Sequence, residues 1–172
     1  MKKTALVVAT LVFALVGCDE KHTVKQTISE GNFTAKQEAL SSGNKADIKA
    51  DLAALNAIVN ASNSAAVKMK SEMFNAAQKQ DQNALKAVLE SAKANIEKAN
   101  QQLVALNIKS KEIQGIRVKM VAGNKMAAEL IEMSKKGASL SDEEKSEMMS
   151  LQKKSVAMQM DVGQQLNEFN KE

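Results

Sequence analysis

The chain has 172 residues, a formal net charge of +4, 26% charged residues and only 2% aromatic residues. Arg117 is its single arginine and tryptophan and tyrosine are absent, so base stacking and bidentate phosphate recognition lack their usual residues and no nucleic-acid partner is expected. One cysteine, Cys18, leaves no internal disulfide, and the absence of proline among abundant alanine, lysine, glutamate, glutamine, leucine and methionine predicts an all-α fold stabilised by helix packing.

The N-terminal residues fall into three zones. Lys2 and Lys3 supply positive charge, and Ala5 to Val16 is apolar apart from Thr10 but too short to span a bilayer. Gly17 then places a small residue before Cys18, as a cleavage site requires. The order Leu15-Val16-Gly17-Cys18 resembles the bacterial lipobox, Leu-x-Gly-Cys with an apolar residue at x. That resemblance implies a signal peptide over 1–17, S-diacylglycerol on the Cys18 thiol, cleavage before Cys18 and acylation of the new amine. The lipid is the only covalent group implied, and no other cofactor is expected. Asp19 directly after the cysteine, followed by Glu20, matches the enteric-type rule for retention at the inner membrane. An inner-membrane site facing the periplasm is therefore preferred to the outer membrane. Without Lys2 and Lys3 the mature chain is close to neutral.

After the anchor, residues 18–43 read as a lipidated N-terminus and tether, with a short helix predicted over Phe33 to Leu40 and ended by Ser41-Ser42-Gly43-Asn44. A tether of about 25 residues reaches up to roughly 85 Å when fully extended. The folded domain is expected over 44–172. Its first helix starts near Asn44 or Lys45 and carries Ile48, Leu52, Leu55, Val59, Ser62, Ala66, Met69 and Met73, alternating steps of four and three as a coiled-coil-like seam does. A break at Gln78 to Asp81 gives Asp81 as the next N-cap. Leu85, Leu89, Ala92, Ile96, Ala99, Leu103 and Leu106 repeat the alternation on a second helix.

A third segment carries Ile113, Ile116, Met120, Ala127 and Leu130, with Gly123 interrupting that face and Gly137 stopping the helix. Between Asn107 and Lys111 no glycine or proline marks a boundary, so one continuous helix from Asp81 to Lys136 is an open alternative. Ser141-Asp142-Glu143-Glu144 makes a capping box for a fourth helix bearing Met148, Leu151, Met158, Val162, Leu166 and Phe169. The expected architecture is an elongated antiparallel bundle of three to four long helices. Lys49-Ala50-Asp51-Leu52 and Lys86-Ala87-Val88-Leu89 show faint self-similarity, which alanine- and lysine-rich helices produce equally by chance.

Candidate chemistry is sparse. His22 is the only histidine and lies in the tether, without the partners that catalysis or a metal site needs. Methionine is enriched; core packing is its first explanation, a pliable surface formed by Met126, Met149 and Met160 for a partner helix the second, and a Cu(I) site the third. Asp142, Glu143, Glu144 and Glu147 read as helix N-terminal acids before they read as a cation site. Leu140 to Lys145 resembles the Leu-Thr-x-x-Gln motif of periplasmic helical stress chaperones related to Spy, with Ser141 for threonine and Glu144 for glutamine. No catalytic signature is found in the sequence, and no metal site is expected. The expected function is a membrane-anchored, non-enzymatic binding or scaffold protein for an envelope component, with the bilayer reached through Cys18, an envelope protein as partner and a second copy of the chain as another. The alternatives are a periplasmic helical chaperone or exclusion factor, and a pilotin-like carrier that inner-membrane retention disfavours.

Overall fold

A computed structural model of the chain describes residues 40–171. Cys18, Asp19, Glu20 and His22 lie outside the described residues, as does the predicted short helix at 33–40 apart from Leu40. Four α-helices make up the body: α1 (Lys45–Gln78), α2 (Gln82–Ala105), α3 (Lys111–Lys136) and α4 (Asp142–Phe169). The all-α bundle expected from composition and periodicity is the observed fold.

Each helix start has a local cause. Asn44 caps α1, its side-chain oxygen accepting the N–H groups of Ala46 at 3.1 Å and Asp47 at 3.4 Å. Asp81 caps α2 by accepting the Ala84 N–H at 3.0 Å. Between them the chain reverses through Gln80, which takes a φ of 53° without being glycine. Ser141 and Glu144 form the expected capping box at α4, each accepting the other's backbone N–H. Gly137 ends α3 at φ 54°, a conformation that costs a side-chain-bearing residue energy, and the chain makes one 3-10 turn over Gly137–Ser139.

The α2–α3 boundary is different in kind. Leu106 and Ser110 are extended, so two helices replace the single long one that the sequence left open. No local breaker causes this. Side chains from elsewhere in the fold occupy the groups that a continuous helix would pair internally.

Neighbouring helices run antiparallel, and α3 is the central one, packed between α2 and α4. α3 is buried along its length, from Ile113 to Met133, whereas on α1 everything beyond Ile58 is exposed or half-buried except Ala76. The main core therefore sits at one end, the base, where Leu52, Leu55, Leu103, Ile113, Ile116 and Val162 close around each other. Full burial of each such aliphatic side chain contributes about 1.5–3 kcal/mol. Away from the base, α2 is clamped to α3 by Lys93–Glu132 at 2.6 Å and Lys135–Glu90 at 2.8 Å. Lys119–Asp161 at 2.6 Å ties α3 to α4. Direct contact between α1 and α4 is slight, and the hydrogen bond from Asn56 to Asn170 at 3.1 Å joins them at the base.

Candidate functional site

The base is where the chain from the N-terminus enters the body. Leu40 is buried, and Ser41 pairs with Ser110 in a parallel bridge. The Ser41 N–H donates to the Lys109 carbonyl at 2.8 Å, and the Lys111 N–H donates to the Ser41 carbonyl at 3.0 Å. Gly43, at φ 69°, turns its N–H onto a Glu112 carboxylate oxygen at 2.8 Å. That N–H, followed by Glu112's own, holds the Glu112 carboxylate below its ordinary pKa. Residues 40–43, read from sequence as the end of the tether, are thus stitched to the α2–α3 connection.

Beneath this junction lies a buried polar cluster. Asp51, on α1, directs one carboxylate oxygen at the Lys109 N–H (2.9 Å), the Ser110 N–H (2.7 Å) and the Ser110 hydroxyl (2.7 Å). Ser110 stands at the N-cap position of α3 but spends its hydroxyl on Asp51 instead of on its own helix. Arg117 donates to the last carbonyls of α2, Leu106 at 2.5 Å and Leu103 at 3.4 Å, and to the Gln114 side chain. Burial lowers the Arg117 pKa from its usual value, and the neighbouring Asp51 charge opposes that shift. The chain's only arginine is a helix C-cap, consumed by structure. None of this cluster was singled out from sequence; the one available signal was a lone arginine on an otherwise apolar stripe.

The residues predicted for a partner surface separate. Met149 and Met160 are each 55% exposed on α4, while Met126 is half-buried on α3. Met158 is buried, its sulfur beside the Gly123 backbone, and Met148 is half-buried. Val67, at 72% exposure, and Phe74, at 62%, are larger exposures that the sequence reading missed. Both lie off the predicted seam, where a lone valine or phenylalanine gives no periodic signal.

The acids of α4 are accounted for by local partners. Glu144 accepts the Ser141 N–H and pairs with Lys136, while Asp142 pairs with Lys145 at 2.8 Å. Among the described residues, no three His, Cys, Asp or Glu side chains are grouped to hold a metal ion. Also among the described residues, no helix is long and apolar enough to cross a membrane. Leu140 is buried and Ser141 and Glu144 are locked in the capping box, so local structure accounts for the segment that resembles the chaperone motif.

Residues 49–172 match the model of a protein family described as "Uncharacterised lipoprotein PM1805". No curated protein and no solved structure matches the chain.

Proposed function

The chain belongs to this lipoprotein family, and from that premise we propose that it is a non-enzymatic binding or scaffold protein, held to a bacterial membrane by lipid on Cys18 and engaging an envelope protein. In this reading the lipobox residues Leu15 to Cys18 direct lipidation and cleavage, and Asp19 and Glu20 keep the product at the inner membrane, facing the periplasm. The observation that carries the proposal is the fastening of Leu40 to Gly43 onto the α2–α3 connection. It brings the anchored chain into the base, where the core is densest, and leaves the far ends of all four helices clear of the entry point.

The carboxylates and the arginine at that base are engaged in holding helices together, which fits a binding body better than a reactive one. Anchoring also raises the effective concentration of the body near any membrane-bound partner. Crosslinking in intact cells, followed by recovery of the tagged protein from membranes, tests this reading. A defined envelope protein recovered with the wild type and lost with Cys18→Ser is expected. Recovery of no partner under any growth condition would count against it. Aggregation assays with a denatured client separate the chaperone alternative, for which suppression at stoichiometric protein is required.

A further inference from the structure

Methionine supplies the easily oxidised groups of this helical body. The chain has no tryptophan or tyrosine, and its one thiol, on Cys18, lies outside the described residues and is the lipidation site of the reading above. What remains is thioether sulfur, which two-electron oxidants convert to sulfoxide, making a flexible apolar side chain polar. Helix α4 holds such sulfurs in two environments. Met149 and Met160 are each 55% exposed, while every other described methionine is half-buried or buried. The two share one face of α4, about three turns apart. Met158 is turned the other way, 8% exposed, with its sulfur 3.6 Å from where a Cβ on Gly123 would stand.

One added oxygen has opposite consequences in the two places. On Met149 or Met160 the sulfoxide lies open to water, which satisfies it. On Met158 it would put a polar acceptor and extra bulk against buried Gly123 of α3, and both an unpaired buried acceptor and overpacking destabilise a core. Access also sets the order of reaction, because a buried sulfur meets oxidant only when the helices part. With hypochlorous acid the sulfur lone pair attacks chlorine and hydroxide leaves. Water then adds its oxygen to the chlorosulfonium as chloride departs. The net change is thioether plus hypochlorous acid to sulfoxide, chloride and a proton, with sulfur oxidised and chlorine reduced.

We propose that Met149 and Met160 form an oxidant-scavenging site on the outer face of α4, which takes oxygen from hypohalous acid without loss of fold and spares the inward methionines, Met158 above all. Methionine sulfoxide is returned to the thioether by dedicated reductases, and the exposure that lets oxidant in also lets a reductase reach both positions. The site needs no protein partner and stands whether or not the binding reading holds.

The test treats the full lipidated chain, in nanodiscs of saturated phosphatidylcholine, with about two equivalents of hypochlorous acid per chain and reads every methionine by peptide mass spectrometry. Sulfoxide at Met149 and at Met160 should exceed that at Met158 by at least about tenfold, with the helical signal and melting temperature unchanged. Incubation with methionine sulfoxide reductases and a thiol reductant should remove it. The double variant Met149→Leu/Met160→Leu keeps apolar bulk at both exposed positions. At the same dose it should carry about threefold more sulfoxide on the inward methionines and melt at a lower temperature than the treated wild type. Earlier oxidation of any half-buried or buried methionine, a fall in wild-type melting temperature with the first two oxygens, or equal inward oxidation with and without the pair would each overturn the assignment. The wild-type order of oxidation decides the matter by itself if the double variant fails to fold.

Discussion

Asp51 holds Ser110 through a single carboxylate oxygen, which accepts both the backbone N–H and the hydroxyl at 2.7 Å. The pair joins the second turn of α1 to the start of α3 and sets where α2 must already have ended. A buried carboxylate removed from three donors leaves each of them unsatisfied. Asp51→Ala is therefore expected to lower unfolding stability by about 3 kcal/mol or more, and Ser110→Ala by about 1 kcal/mol, because only the hydroxyl bond is lost. Urea denaturation followed by circular dichroism measures both; equal effects would show that the backbone bonds to Asp51 carry no weight.

Arg117 closes the other side of the same boundary. Arg117→Lys keeps the charge but loses the planar fork that spans the Leu103 and Leu106 carbonyls and Gln114. The expected cost is about 1–3 kcal/mol, with faster hydrogen exchange concentrated in the last turn of α2. Uniform acceleration across all helices would instead indicate a global packing loss.

These two residues also explain what was legible in the sequence. The seams were legible in part: Leu52, Leu55, Ala92, Ala99, Leu103, Ile113, Ile116, Ala127, Leu130, Met158, Val162 and Leu166 are buried where the spacing puts them. On α1, however, Ser62 is exposed and Val59, Ala66, Met69 and Met73 are only half-buried, and Ile58 and Val88, off the predicted seams, are buried instead. The caps at Asp81 and Ser141 were legible, because a cap is written in the side chain that makes it. The α2–α3 break was not, since its cause lies in Asp51, far away along the chain, and in an arginine one turn into the next helix.

Acid should loosen the α2–α3 clamp. Hydrogen bonds from Lys135 and then Lys93 hold the Glu132 carboxylate down at about 2, against an ordinary value of 4.5. A folded-state pKa below the unfolded one means that Glu132 stabilises the fold above about pH 4.5 and that this contribution disappears as pH falls toward 2. Glu132→Gln should accordingly flatten the stability profile in that window and leave its shape above it unchanged. Stability measured by thermal melts from pH 6 to pH 2 would contradict the assignment if the two profiles stayed parallel.

Gly123 offers a gain. It sits inside α3 with helical backbone, and an added Cβ would meet Met158 Sδ at 3.6 Å, an ordinary contact. Gly123→Ala is expected to stabilise the protein by about 0.5–1 kcal/mol, since glycine is costly within a helix. A lower melting temperature would mean that α3 and α4 cannot accept even one methyl group there.

The most direct test of the account is the fate of Cys18. Cells grown with a clickable fatty-acid analogue should label the wild-type protein, and fractionation should leave that label in the inner membrane. Cys18→Ser should abolish the label and keep the protein from the mature, membrane-bound pool. A wild-type protein that carries no lipid, or a Cys18→Ser protein that is labelled and membrane-bound as before, would contradict the claim that this helical body works from a lipid anchor.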